Sequence, residues 1–165
     1  MTSTKVESSS GNTEEDAMST SGYNAIANIL ARYAQRIDAA DFDGVGDLFA
    51  KAVVEMDGPE GRVRLEGADA VSGFFRASAR VYEDGSTHTR HVITNLIIDV
   101  DEDAGTGSSS SSAVVLQAVE GVIALQPILV GSYDDTFERV GTEWSISSRF
   151  LSIDLMGDVS KHLQV

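Results

Sequence analysis

Two residue types that perform acid–base chemistry stand out from their surroundings. Asp38 follows a row of small side chains, Ala27, Ala31 and Ala34, at helical spacing, in a place with no obvious cationic partner. His91 shares one face of an alternating apolar stretch with Ile93, Asn95 and Ile97. A carboxylate against a histidine Nδ1 fixes the ring tautomer and raises the basicity of Nε2. The result is a general base for a C–H or O–H proton near neutral pH. The plain alternatives are a solvated helix-end carboxylate and a core histidine with its hydrogen bonds satisfied. Arg149 lies on one face with Leu151 and Ile153, and an arginine among apolar residues needs an anion. That anion is a substrate group, a leaving group, an enolate oxygen or one of the 26 acidic side chains of the chain itself, and the charge count favours the last. Tyr33 and Tyr133 are candidates to donate a phenolic hydrogen bond into a pocket, or else core residues with a polar tip. Asn95 either lines a pocket or supports the strand ladder.

The elements that position these groups follow from periodicity. Tyr23, Ile26, Leu30, Tyr33 and Ile37 form the apolar face of a first helix that ends at Asp38. Asp41 caps a short second helix with Val45, Leu48 and Phe49. Ala52 to Met56 is a short strand, and Gly58-Pro59-Glu60-Gly61 is a turn. A third helix spans Ala68 to Tyr82. Long strands are expected over His88 to Val100, Ala113 to Leu125, Ile128 to Val140 and Glu143 to Leu155, with a hairpin turn at Val140 to Glu143. The low-complexity run Asp101 to Ser112 reads as a flexible loop between two of them. Helices first and a long antiparallel sheet later predict an α+β fold, with the sheet curved around the helices and a cone-shaped pocket between. Residues 1–21 are rich in Ser, Thr, Glu and Gly and read as a disordered tail; residues 22–165 form the domain.

Composition narrows the function. The 165 residues are 42% apolar and 23% charged, enough for a real core. There is no cysteine, which excludes disulfides, thiolate metal sites and a cysteine nucleophile. A net charge of −14 gives no basic footprint for nucleic acid or anionic membranes. No apolar run is long enough to span a bilayer, and no secretory signal pattern opens the chain, so a cytoplasmic protein is expected. Asp99 to Asp103 lacks the spacing of a calcium loop, three histidines without cysteine argue against a transition-metal site, and Gly44-Val45-Gly46 does not continue into a phosphate-binding loop. No metal and no cofactor are expected.

The stretch Tyr33-Ala-Gln-Arg-Ile-Asp38-Ala-Ala-Asp41-Phe-Asp43, running on to Leu48-Phe49, resembles the first helix and its exit in SnoaL-like proteins of the nuclear transport factor 2-like superfamily. Thr89-Arg-His91-Val-Ile-Thr-Asn95 resembles the histidine strand of that family, and Tyr133 through Phe137-Glu-Arg139 to Trp144-Ser-Ile its closing hairpin. Within the superfamily the chain resembles the scytalone dehydratase and hexachlorocyclohexane dehydrochlorinase branch. That resemblance implies a cone-shaped α+β barrel and a cofactor-free lyase or isomerase acting on a small, mostly apolar organic substrate. His91 would be the base, Asp38 its orienting partner, and Arg149 a stabiliser of developing negative charge. Two tyrosines of scytalone dehydratase fall near Ile37 and Asp57, its second histidine near Gln117, and the dehydrochlorinase lysine near Tyr33, so neither of those two substrates is implied. Asp57, Gln117, Tyr33, Asn95 and Tyr133 are the substrate-contact candidates. A polyketide cyclase and a non-catalytic ligand-binding or association domain are the alternatives. The resemblance also implies a homo-oligomer, a trimer before a dimer.

Overall fold

The computed structural model describes residues 21–58 and 61–164; the expected N-terminal tail falls almost wholly outside them. Three helices pack on one six-stranded curved sheet that stays open rather than closing into a barrel. The fold is the α+β arrangement that the residue pattern implies.

Helix α1 (Gly22–Asp38) is capped by Ser21, whose side chain accepts from the Asn24 N–H. Its buried face is Ile26, Ile29, Leu30, Tyr33 and Ile37. Tyr23, expected on that face, is half exposed because it lies at the solvent-facing start of the first turn. Helix α2 (Phe42–Leu48) is capped by Asp41 through Gly44 N–H. Helix α3 (Gly67–Ser78) is shorter than the periodicity suggests. Ala79 leaves it in an extended conformation and bridges Leu163, so Val81 stands in solvent rather than on a helix face.

The strands are β1 (Val53–Gly58), β2 (Gly61–Glu66), β3 (Thr89–Asp101), β4 (Thr106–Val119), β5 (Ile123–Val140) and β6 (Glu143–Met156). They lie in the order β2-β1-β6-β5-β4-β3, with every neighbouring pair antiparallel except β1 with β6. The strands depart from the sequence reading in several places. The stretch Ala113 to Leu125, expected as one strand, is broken by a turn at Glu120–Val122, so Leu125 belongs to β5. Strand β2 is an additional edge strand whose outward residues Arg62 and Arg64 pair with Asp57 and Glu55 across the hairpin. The run Ser108 to Ser112, expected in a flexible loop, lies inside β4, with Ser109 and Ser111 buried and Ser108 and Ser110 exposed. Serine has little intrinsic strand preference, but ladders to β3 on one side and β5 on the other override it. The connection shrinks to a tight turn at Glu102–Gly105, where Gly105 adopts φ 66°.

A bulge in β3 re-aims half of that strand. The register shifts between Thr94 and Ile97, and Asn95 sits at φ 52°. Before the bulge His91 and Ile93 face the helices; after it Leu96, Ile98 and Val100 do, and Ile97 is 63% exposed. Asn95 is thereby turned outward, where its amide donates to Ser112 Oγ at 3.3 Å.

Candidate functional site

The interior holds a set of polar groups: Asp38, Thr87, Thr89, Ser109, Ser111, Gln117, Asp135 and Arg149 are all buried. Asp38 is the last residue of α1. A carboxylate at a helix C-terminus gains nothing from the helix dipole, so its stabilisation must come from elsewhere, and it comes from β3. The His91 N–H donates to both carboxylate oxygens, at 3.1 and 3.0 Å. The Thr89 hydroxyl donates to Oδ1 at 3.0 Å. His91 Nδ1 lies 2.7 Å from the same oxygen, with both side chains almost fully buried. Thr87 adds a second tie, donating from its N–H and its hydroxyl to the Asp38 carbonyl, while its Oγ1 lies 2.6 Å from that of Thr89. The exposed Arg90 guanidinium approaches Oδ2 at 3.7 Å.

Burial alone would raise the Asp38 pKa. The His91 ring hydrogen bond and charge, the backbone N–H and Thr89 outweigh it and hold the carboxyl below its ordinary value. An ionised carboxylate only accepts, so the proton in the short contact sits on His91 Nδ1. In the neutral ring this placement puts the lone pair on Nε2. A neutral imidazole held in this way can act as a base, with its tautomer set by a carboxylate.

Arg149 lies deeper. Asp135 and Arg149 are direct partners across β5 and β6. Nε and Nη2 donate to the two Asp135 oxygens at 2.7 and 2.9 Å, and both residues are fully buried. The guanidinium lies over the rings of Tyr133 (4.2 Å), Tyr33 (4.3 Å) and Phe49 (5.1 Å). Burial opposes its charge, but Asp135 more than compensates and raises its pKa. Nη1 has no partner. Tyr33 meets His91 and Tyr133 edge-on, at 6.4 and 5.8 Å between ring centres, and so joins the two polar groups. Burial raises the pKa of both tyrosines, keeping them protonated hydrogen-bond donors.

The other candidates divide. Gln117 lies opposite Thr89 in the β3–β4 register and is 1% exposed, with its amide donating to the carbonyls of Thr87 and Lys161. Asp57 is remote from all of this: it sits on the exposed β1–β2 hairpin, paired with Arg62. Asn95 is on the outer face, as described. Thr87, Thr89, Asp135 and His162 belong to the polar interior but are not singled out by sequence. Asp135 carries a readable signal, an acid between Tyr133 and Phe137 on an inward-facing alternation. His162 carries none.

The interior is tightly closed. A cavity of about 20 Å³, bounded by Tyr33, Phe49, Val71, Phe75, Arg149 and Leu151, has room for about one water molecule. A much wider depression, about 680 Å³, lies among outward-facing residues such as Ile97, Asp134, Thr136 and Phe150. Among the described residues no group of three His, Asp or Glu side chains is placed to hold a metal, and no helix is long and apolar enough to cross a membrane.

The fold is the α+β cone of nuclear transport factor 2-like proteins. The chain belongs to the SnoaL-like domain family, whose model matches residues 19–150. Among solved structures it is similar to a nuclear transport factor 2-like protein with a cystatin-like fold from Novosphingobium aromaticivorans (20% identity over 84% of this chain and 85% of that one, TM-score 0.63). It is similar in the same degree to a protein of that organism provisionally named a scytalone dehydratase (20%, 82% and 86%, TM-score 0.63). Aln2 from a Streptomyces species is a third (25%, 80% and 90%, TM-score 0.62). No curated protein matches this chain in sequence.

Proposed function

We propose that the protein is an acid–base lyase or isomerase, dehydration being the leading reaction, with Asp38 and His91 as its reacting dyad. The observation that carries this reading is the buried 2.7 Å contact between the Asp38 carboxylate and His91 Nδ1. In an elimination, His91 Nε2 takes a proton from carbon next to an electron-withdrawing group. The C–H electrons become the new C=C bond, the C–O bond breaks, and the departing hydroxide takes the proton back from the His91 imidazolium and leaves as water. Asp38 stabilises the imidazolium formed in between. Arg149, with Nη1 unpartnered, and the protonated Tyr33 and Tyr133 would stabilise negative charge on the activating group. A cyclase would use the same base on an aromatic polyketide. Small hydroxy-carbonyl and halogenated compounds are the first substrates to screen, following appearance of the conjugated product. His91→Ala and Asp38→Asn should each lower the rate by roughly 10²–10⁴-fold while leaving the fold intact. A variant that keeps most of the activity contradicts the dyad.

A second reading has its own observation. The interior cavity is only about 20 Å³ and Arg149 is already paired with Asp135, which suits a binding or association domain that performs no chemistry. In that case ligand affinity would survive both substitutions and no turnover would be found. A homo-oligomer, trimer before dimer, is part of the proposal. Exposed Val122, Leu125, Leu155 and Met156 supply apolar surface for it. A clean monomer by sedimentation at micromolar concentration would remove that part.

A further inference from the structure

Two buried hydroxyls stand beside the Asp38 carboxylate. They belong to Thr87, at the entry to β3, and Thr89, its first residue, which are 1% and 4% exposed. Thr89 Oγ1 lies 3.0 Å from Asp38 Oδ1, Thr87 Oγ1 lies 3.0 Å from the Asp38 carbonyl oxygen, and the two hydroxyl oxygens lie 2.6 Å apart. Thr87 is itself held in place. Its carbonyl accepts from the Gln117 amide at 3.3 Å, and its N–H donates to the Asp38 carbonyl at 3.3 Å. At this depth the hydroxyl protons are shared among these partners rather than with solvent.

A proton count limits how they are shared. Each threonine hydroxyl carries one proton, so two protons serve three contacts. The 2.6 Å contact holds one of them, because hydroxyl oxygens approach to about 2.5–3.0 Å with a proton between them. Two arrangements remain. In one, Thr87 donates to Thr89 and Thr89 donates to Asp38 Oδ1. In the other, Thr89 donates to Thr87 and Thr87 donates to the Asp38 carbonyl. The first ends on a charge, and a hydrogen bond to an ionised acceptor is roughly twice as strong as one to a neutral acceptor. It leaves nothing unsatisfied, since the Asp38 carbonyl keeps the Thr87 N–H. The second takes a donor away from a buried carboxylate, which is the costlier loss. Hydroxyls that donate in sequence also polarise one another, and this strengthens the bond at the charged end.

We propose that Thr87 and Thr89 form a one-way hydroxyl relay that ends on Asp38 Oδ1, and that both are positioning residues for the Asp38–His91 pair. This rests on that pair being the reacting one. Oδ1 is the oxygen that meets His91 Nδ1, and it carries the Thr89 hydroxyl and the His91 N–H as well. Three donors on one oxygen fix its orientation toward the ring. Burial raises the Asp38 pKa, and the bonds from His91 and then Thr89 outweigh that effect. The threonines act through Asp38 and touch no reacting atom themselves.

Neutron diffraction from deuterium-exchanged crystals of the full chain places both hydroxyl deuterons. The Thr87 deuteron should lie between the two threonine oxygens and the Thr89 deuteron should point at Oδ1. A Thr89 deuteron on the line to Thr87 overturns the relay. Titration of the Asp38 carboxyl carbon, followed by ¹³C NMR, separates the two arrangements by sign. Thr89→Val should raise the midpoint by about one unit. Thr89→Ser, which restores the hydroxyl, should match the wild type. Thr87→Val should raise the midpoint by less, since Thr89 keeps its bond but loses the partner that polarises it. In the reverse arrangement Thr87→Val would free the Thr89 proton for Oδ1 and lower the midpoint. That result, or an unmoved midpoint in either valine variant, overturns the relay. Among the described residues, the charged and titratable groups facing Asp38 are His91 and Arg90 on β3 and His162 in the C-terminal segment, and all the variants keep them. Neither measurement needs turnover. If His91→Ala abolishes a reaction while the threonine variants leave the Asp38 midpoint unmoved, the relay fails and the base stands. If the midpoint shifts appear while no dyad variant affects any reaction, the base fails and the relay stands.

Discussion

Two carboxylate–cation pairs lie within the same core, and they are built in opposite ways. Asp135 and Arg149 form a closed unit: two parallel hydrogen bonds, three aromatic rings around the guanidinium, and strand partners directly opposite each other. Asp38 and His91 form an open one. The carboxylate gathers the His91 and Thr89 donors and the ring nitrogen, but the ring itself is held at Nδ1 only. A bidentate pair offers rigidity and charge. A pair held through one ring nitrogen offers a lone pair whose proton affinity the carboxylate supports. The first suits a scaffold that also lends an electrostatic field, the second suits proton transfer.

The sharpest way to break this contrast is to remove one carboxylate at a time. Asp135→Ala leaves a fully buried guanidinium uncompensated and should cost about 3–5 kcal/mol of stability. The double variant Asp135→Leu with Arg149→Met should recover much of that. Asp38→Asn should cost far less stability, because an amide oxygen still accepts from backbone and Thr89, and should act mainly on rate. Urea unfolding of the four proteins measures both statements. Equal destabilisation by Asp135→Ala and Asp38→Asn would erase the distinction between the closed pair and the open one.

The next effect depends on pH. His162 binds a proton less readily folded, near pH 4, than unfolded, near 6.5. Between those values the unfolded state holds more protons, so stability falls as pH drops from 7 toward 5, by about 2 kcal/mol from this residue. His162→Gln should remove that slope. Asp38 acts lower down: its depressed folded pKa contributes stability above the ordinary 3.8, lost as pH falls through the folded value. Melting curves at pH 7 and 5 for wild type and His162→Gln check the first. Identical slopes would mean that the ring is not protected from protonation.

The smallest effect concerns the serines. Ser109 and Ser111 face inward opposite Asp135 and Tyr133, and their hydroxyls have no partner. Ser111→Ala removes an unsatisfied group and should change stability by less than about 1 kcal/mol, in the stabilising direction. A clear loss would show that the hydroxyl holds a bond to the Asp135–Arg149 unit.

How far the residues alone reach follows the range of the interactions. The apolar stripe of α1 and the Asp41 cap of α2 are local and legible in the residues; so is the turn at Val140 to Glu143. The serine tract reads as a loop because its strand state comes from partners on both sides. The end of α3 is hidden because Leu163, more than eighty positions away, draws Ala79 out of the helix. The Asn95 bulge is invisible for a similar reason, and with it goes the expected facing of Asn95 and Ile97. In the site, Asp38 and His91 stand out as residue types in odd places, but their contact is a tertiary fact. Asp57, assigned through resemblance, lies on an exposed hairpin in this chain. Gln117 falls in the polar interior, yet its bond to the Lys161 carbonyl is beyond sequence reasoning, because nothing local to the C-terminus points back to β4.

The most direct test of the central claim is the tautomer of His91, read from long-range ¹H–¹⁵N spectra of the ring in wild type and in Asp38→Asn. A proton on Nδ1 and a bare Nε2 are expected in the wild-type chain. In Asp38→Asn the amide oxygen is retained by the backbone and Thr89, its NH₂ turns to Nδ1, and the ring shifts to the Nε2–H form, as a tautomer set by a carboxylate must. A wild-type ring already protonated on Nε2, or the same tautomer in both proteins, would contradict it.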